Sequence, residues 1–221
     1  MEAYLGISTD KLLTAGAETI YMVCISLFIG AIIAFPLAIL LYLTRKNGMY
    51  QNRFVNGLLN IIINVIRSTP FIIMLVCVMP LTKVLVGTRI GTKAALVPLT
   101  IYIAPYLARL MEGALLETKA GIIEAAEAMG ATPLQIVWHF ILPESLGSLI
   151  LTITTGTIGL IGATAMAGYI GGGGIGNIAL TYGYQQFNNR LMFFTVLILI
   201  MVVQLIQNLG TWASAKIRRA R

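Results

Sequence analysis

Two long stretches of this 221-residue chain, residues 19–44 and 145–189, contain no Asp, Glu, Lys or Arg. Each exceeds the roughly 20 residues that an α-helix needs to cross the hydrocarbon core of a bilayer. The chain is 58% hydrophobic and 10% charged, whereas about a quarter of the residues in a soluble domain are charged. Lipid must therefore cover part of its surface. This excludes a soluble enzyme, a disordered segment and a secreted domain held together by disulfides.

The distribution of charge predicts an all-α, polytopic membrane protein with about five spans. The predicted spans are 19–44, 54–82, 90–111, 147–169 and 191–215. Residues 1–18 are then an external segment, residues 19–215 form the membrane domain with a cytoplasmic loop at 112–146, and residues 216–221 form a basic cytoplasmic tail.

The basic residues predict the orientation of the chain in the membrane. An odd number of spans puts the two ends on opposite sides, and placing the basic tail inside puts the N-terminus outside. Lys and Arg are then more numerous inside than outside, as the positive-inside rule requires. The net charge of +7 could also suggest nucleic-acid binding. We reject that reading because most basic residues flank apolar runs, while the tail is suited to anionic lipid headgroups.

The polar loop between the third and fourth spans predicts two short helices with a sharp joint. Residues 118–130 carry an apolar face at helical spacing, and Gly130 suits the left-handed position after a helix. We expect Ile122, Ala125, Ala126 and Met129 to form that face. Five of the eight acidic residues are expected to give this region an acidic field that complements a basic partner groove: Glu112, Glu117, Glu124, Glu127 and Glu144.

The second short helix has clear local signals at both ends. Thr132 is a favourable N-cap, Pro133 suits the first helical position, and Gln135 completes a capping box. Pro143 is expected to end this helix. Its predicted apolar stripe consists of Leu134, Val137 and Ile141.

The order of residues in this loop resembles the signature of ABC importer permeases. Glu124-Ala125-Ala126 is followed six residues after the Glu by Gly130, and then by Phe140-Ile141-Leu142-Pro143, where Phe140 stands at a position usually occupied by Ile. The resemblance implies a coupling helix that docks on an ATP-hydrolysing subunit. The residues implied in this coupling are Glu124, Ala125, Ala126, Gly130, Ala131, Phe140, Leu142 and Pro143.

Further segments make the chain similar to permeases of the methionine uptake transporter family. These segments begin at Arg67 (RSTPFII), Val86 (VGTRIG), Ala104 (APYLAR) and Gly171 (GGGGIG). The resemblance implies a type I ABC importer fold and a homodimer in the cell membrane of a prokaryote. It also implies two ATP-binding subunits, which hold ATP and Mg²⁺, and an external methionine-binding protein, often a lipoprotein. The substrate would be D- or L-methionine or a close analogue.

Two residues are candidates for the transport pathway or its gate. Arg67 lies deep in the membrane if the second span begins near Phe54, and it snorkels to the interface if residues 54–66 lie along the inner surface. Its guanidinium would then contact an ion or a backbone carbonyl, and a contact with a substrate carboxylate is the less favoured alternative. Met166 lies at the outer end of the fourth span, where it either packs or forms an apolar gate with its dimer mate.

Other functions find little support in the sequence. We see no catalytic constellation, metal-ligand spacing or nucleotide-binding motif, so no cofactor is expected on this chain and hydrolysis is expected on a partner. Cys24 and Cys77 are expected to be small buried apolar residues. An ion-coupled secondary transporter is disfavoured because every acidic residue lies in the N-terminal segment or in 112–144. An ABC permease for another small amino acid or for a methionine-containing dipeptide stays open.

Overall fold

The computed structural model describes residues 6–219, and within that range the secondary structure is helical. The α-helices are α1 (Thr9–Thr44), α2 (Arg53–Ser68), α3 (Phe71–Val86), α4 (Thr92–Leu116), α5 (Ala120–Ala128), α6 (Pro133–Ile136), α7 (Leu142–Ala167), α8 (Gly174–Asn177) and α9 (Asn189–Arg219). Two π-helical segments, Val137–Ile141 and Ile178–Gln185, and a 3-10 turn, Gly168–Ile170, continue α6, α8 and α7 respectively. Residues 1–5 of the predicted external segment and residues 220–221 of the predicted tail lie outside this description.

The first helix begins ten residues before the predicted span. Ser8 caps it, since the Ser8 hydroxyl accepts a hydrogen bond from the Lys11 N–H at 3.3 Å, and Asp10 lies in the first turn. These are the residues that an N-terminus favours. The apolar run marks where lipid can cover the helix, whereas the cap marks where the helix begins. At the other terminus α9 continues through Arg219, so the described part of the basic tail is helical.

The second predicted span is a bent pair of helices. α2 and α3 meet at Thr69 and Pro70 with a bend of 110°. Pro70 disfavours a helical conformation for the residue before it, and Thr69 is extended. Only Ile63 of α2 is fully buried, while Phe54, Leu58, Ile61 and Val65 form an exposed apolar stripe.

Pro143 does not end a helix, contrary to the prediction. Residues 133–170 form one continuous helical run that passes through a π-helical turn at Val137–Ile141. The Leu142 N–H donates to the Val137 carbonyl five residues back, which widens the helix just before the proline. Such a turn accommodates the missing N–H and the ring of Pro143 without a break.

The core forms where α1, α4 and α7 cross. Gly30 on α1 lies against Ile103, and Gly156 on α7 lies against Leu107, so closely that a Cβ at either glycine would collide with the α4 side chain. Small residues permit such approach between membrane helices. The largest buried side chains around these crossings are Met22, Leu41, Leu99, Ile103, Leu107 and Leu160.

In the described part of the chain, four helical runs are long and apolar enough to span a membrane, and the bent pair α2–α3 brings the number to five. The bundle has two distinct ends. The end with α5 and α6 is called the coupling end below, and the end with residues 168–176 is called the glycine end. The two cysteines, predicted to be buried, are instead exposed and unpaired on α1 and α3.

Candidate functional site: the coupling loop and its supports

The joint predicted in the coupling loop is formed as expected. α5 ends in a left-handed residue, Gly130, with φ of +79°. The Gly130 N–H donates to Glu127 O at 2.9 Å and the Ala131 N–H donates to Ala126 O at 3.1 Å. This pair of bonds is the Schellman closure of a helix C-terminus. The Thr132 N–H then donates to Gln135 Oε1 at 2.9 Å, which fixes the start of α6.

The residues that the resemblance implies in coupling divide into a presented set and a supporting set. Glu124, Ala125 and Gly130 are exposed, so another protein can reach them. Ala126, which is fully buried, holds α5 against the bundle. The supporting set contains Ala126 and Leu142, which are buried, and Ala131, Phe140 and Pro143, which are half-buried.

The predicted apolar faces of this loop are only partly correct. On α5, Ala126 is buried, and Ile122 and Ile123 are half-buried. Ala125 is exposed, and Met129 is 70% exposed. In the second stripe Val137 and Ile141 are buried, but Leu134 is exposed. Met129, Leu134 and Trp138 are therefore exposed apolar side chains of this loop.

A polar cleft of about 280 Å³ separates α5 from the turn that joins α1 to α2. Arg45, from the turn, and Glu124 and Glu127, from α5, line it together. The Arg45 guanidinium lies over the Tyr42 ring, 4.3 Å from its centroid. Sequence reasoning did not connect this turn with the coupling loop, because the residues are far apart in the chain.

Glu112 does not contribute to an acidic docking field, contrary to the expectation. It is 7% exposed, and its carboxylate is paired with Arg109 at 2.7 Å. Arg109 also donates to the Asn60 side-chain oxygen on α2. Glu117 is likewise engaged, since it accepts a hydrogen bond from Ser148. The exposed acidic groups of α5 itself are Glu124 and Glu127.

The contact of Arg109 continues as a hydrogen-bonded relay across three helices. Asn60 donates to both the backbone and side-chain oxygens of Asn56 at 2.8 Å. Asn56 in turn donates to Leu41 O and to the Thr44 hydroxyl of α1, each at 3.2 Å. The relay joins α1, α2 and α4 near the coupling end, where each buried polar group needs such partners.

Arg67 lies at the C-terminal end of α2 beside the middle of α4. Its guanidinium lies 5.9 Å from the centroid of the Tyr106 ring, within cation–π range. The Arg67 guanidinium therefore lies near an aromatic ring here, whereas a contact with an ion or a carbonyl was expected. Tyr106 stacks on Tyr102, which meets Phe71 edge to face at 5.3 Å.

Met166 and the glycine segment lie at the glycine end. Met166 is 44% exposed near the end of α7. The Gly174 N–H donates to the Glu18 carboxylate at 2.8 Å, and the Ile175 N–H donates to the Thr19 hydroxyl at 2.9 Å. Gly173, with φ of +74°, has no space for a Cβ beside that carboxylate. The glycines therefore allow close contact with α1, a role that the sequence alone did not reveal.

Among residues 6–219, no group of three or more His, Cys, Asp or Glu residues could hold a metal ion. The described residues thus form an exposed short helix, α5, which ends at the joint at Gly130, and a bent helix pair, α2–α3, beside the bundle of α1, α4 and α7.

Comparison with known proteins identifies the family. Residues 26–219 match the family described as "Binding-protein-dependent transport system inner membrane component". This chain belongs to that family. The match covers most of the chain, including the coupling loop and α9, so the type I ABC importer permease fold is confirmed. With its several apolar helices, this family member is a multi-pass membrane protein.

Methionine permeases are among the relatives of this inner membrane component. It is 43% identical over 204 residues to the methionine import system permease protein MetP of Bacillus subtilis, covering 92% of each chain. It is 48% identical over 151 residues to the D-methionine transport system permease protein MetI of Escherichia coli, covering 68% of this chain and 70% of the relative.

A solved structure shares the whole fold of this inner membrane component. That structure is an inward-facing conformation of the MetNI methionine ABC transporter, and its matching chain is 42% identical with a TM-score of 0.91. The match covers 96% of this chain and 99% of that chain. The resemblance to methionine ABC importer permeases is therefore confirmed.

Proposed function

We propose that this chain is the membrane subunit of an ATP-driven importer for D- or L-methionine or close analogues. The observation that carries the proposal is the end-to-end match, at 42% identity, to a chain of a methionine ABC transporter. The permeases of B. subtilis and E. coli support the same substrate class by name. In this proposal the chain is itself no enzyme, and ATP and Mg²⁺ bind to partner subunits.

The proposed assembly contains two copies of this chain, two ATPase subunits and an external methionine-binding protein or lipoprotein. α5 faces the cytoplasm and docks on the ATPase, so the C-terminus is cytoplasmic and the N-terminus external. Glu124, Ala125 and Gly130 touch the partner, whereas Ala126, Ala131, Phe140, Leu142 and Pro143 hold the presented helix in place. The closed joint at Gly130 supports this role, because a short rigid helix transmits a displacement better than a loose loop does.

Transport would follow alternating access. Closure of the two ATPase subunits draws the two α5 helices together, and the attached α4 and α7 turn the bundle from inward-open to outward-open.

Arg67 and Met166 are proposed pathway residues, with Met166 meeting its dimer mate as an apolar gate. If Met166 has that role, Met166→Ala raises ATP hydrolysis by the complex in the absence of substrate. Unchanged hydrolysis in this variant would count against the gate.

A competition uptake panel tests the proposed substrate. The reconstituted complex is expected to accumulate labelled L-methionine, with unlabelled D- and L-methionine competing strongly and other amino acids weakly. Strong competition by a methionine-containing dipeptide would move the assignment to that substrate class. Uptake that is indifferent to methionine would reject the substrate assignment while leaving the transporter class intact.

Two substitutions test the proposed coupling. Glu124→Lys reverses an exposed charge on α5, and Gly130→Val places a β-branched residue at a positive φ. Both are expected to abolish uptake while the chain still inserts into the membrane and folds. Normal uptake by both variants would reject the coupling assignment.

A further inference from the structure

The segment that joins α3 to α4 at the glycine end is basic. Residues 83–93 contain Lys83, Arg89 and Lys93 and no acidic residue. In the proposed orientation, with the N-terminus external, this is the side of the membrane on which short loops carry fewer Lys and Arg residues. The orientation of the chain therefore does not explain these cations, and they need a local reason.

An apolar groove runs inward from this segment, between α1, α3 and α4. Its volume is about 520 Å³, and Tyr21 and Lys93 line it where it begins. Ile29 and Ile101, which also line it, follow eight residues later on the same two helices, or about 12 Å further along each axis. The groove therefore follows the direction of the spans, as an extended acyl chain does. Its other apolar lining residues include Leu81, Leu85, Leu96 and Val97.

The outer end of this groove adjoins a second cleft, of about 540 Å³, at the glycine end. Tyr21 and Lys93 line both cavities, so an ammonium and a phenol hydroxyl stand where the apolar groove meets the polar surface. Glu18 also lines the outer cleft. Its carboxylate is engaged elsewhere, because it accepts a hydrogen bond from the Gly174 N–H at 2.8 Å.

The Lys93 ammonium has no partner in the described part of the chain. The side chain is exposed, and among residues 6–219 it takes part in no ion pair or hydrogen bond. Lys93 also stands in the first turn of α4, where the helix dipole disfavours a cation. Helix stability therefore does not account for a lysine at this position. An anionic group at the mouth of the groove would offset both the isolated charge and the unfavourable dipole.

We propose that this groove binds an anionic phospholipid from the leaflet at the glycine end. One acyl chain lies between α1, α3 and α4, and the phosphate lies at the mouth, where the Lys93 ammonium and the Tyr21 hydroxyl donate to it. The apolar lining alone would accept any lipid, whereas the cation selects a negatively charged headgroup. A water-soluble partner would reach the outer cleft but leave the apolar groove unfilled. A phospholipid matches both parts, and its binding does not depend on which solute the transporter carries.

Photo-cross-linking in the assembled transporter tests this site. The photoreactive residue p-benzoylphenylalanine replaces Leu85, which is 64% exposed at the rim of the groove. The complex of this chain with its ATPase is reconstituted into vesicles of phosphatidylcholine with a minor share of phosphatidylglycerol, both with the same acyl chains. The probe reacts with C–H bonds of those chains, so it does not itself discriminate between headgroups. Mass spectrometry of the cross-linked peptide then gives the ratio of the two lipids.

We expect phosphatidylglycerol to be enriched about fivefold over its share of the vesicles, the effect of one basic residue near an anionic headgroup. Lys93→Gln removes the charge and is expected to return the ratio to that of the vesicles, whereas Lys93→Arg keeps the enrichment. Lys83→Gln is the matched control. Lys83 is exposed and lies two residues from the probe, but it does not line the groove, so its replacement should leave the enrichment unchanged.

Three results would overturn the proposal. Cross-linked lipids in the same ratio as the vesicles would show that the groove does not select a headgroup. Equal loss of enrichment in Lys93→Gln and Lys83→Gln would show a general field of the basic segment instead of a site at the groove. Cross-linking to a second copy of the chain or to another protein would mean that protein fills the groove. Each result leaves the proposed transport function untouched, because that function is tested by uptake.

Discussion

Individual residues at two positions show how backbone geometry restricts the sequence. Gly130 closes α5 at a φ of +79°, although a Cβ there would meet open space. The restriction is therefore conformational rather than steric, at a cost of about 1–2 kcal/mol for a residue with a Cβ. Gly173 is restricted twice, by its positive φ and by the carboxylate of Glu18 against it.

This distinction predicts that side-chain volume at position 130 matters less than backbone preference. Gly130→Asn is expected to keep at least half of the uptake rate, because Asn tolerates the left-handed region, whereas Gly130→Val is expected to lose it. Uptake per assembled complex is the measurement. Equal loss in both variants would show that the partner surface, rather than the closure of α5, requires glycine.

At the glycine end, Glu18→Ala removes the acceptor of the Gly174 N–H. An unsatisfied, partly buried donor costs about 1–3 kcal/mol, so the thermal unfolding midpoint of the purified complex is expected to fall. Glu18→Gln retains an acceptor oxygen and is the matched control. A midpoint that falls equally in both would mean that the charge, rather than the hydrogen bond, holds the glycine segment.

Among the helices and loops, features that depend on neighbouring residues were predictable from the sequence, whereas contacts between residues far apart in the chain were not. The joint at Gly130 and Thr132 was predictable because capping depends on neighbouring residues. The burial of Glu112 was not predictable, because Arg109, its partner three residues earlier on α4, also donates to Asn60 only when α2 packs on α4. Pro143 was misjudged for a related reason, since a π-helical turn accommodates it and the stop signal assumes a regular helix.

The relay between α1, α2 and α4 makes a prediction about how α2 is held. Asn60→Ala removes the contact to Arg109 and is expected to destabilise the complex by about 1–3 kcal/mol, since this hydrogen bond involves a charged group. Asn64→Ala removes an exposed amide one turn further along α2 and should leave the unfolding midpoint almost unchanged. Equal midpoints for the two variants would show that the relay does not stabilise α2.

For the whole molecule, the number of spans and the fold class followed from the uncharged runs, because lipid requires long apolar helices. The packing of α1 and α7 on α4 did not follow from these runs. This packing depends on which faces of the helices meet, as where Gly30 lies against Ile103 and Gly156 lies against Leu107.

The most direct test of the central claim is the energy source for methionine uptake. The complex of this chain, its ATPase and its binding protein is reconstituted into liposomes, and labelled L-methionine uptake is measured with and without ATP on the coupling-end side. Ion gradients are removed with ionophores in parallel samples. The account predicts uptake that requires ATP and the binding protein and persists without ion gradients. Uptake that survives without ATP but collapses with the ion gradient would contradict it and favour a secondary transporter.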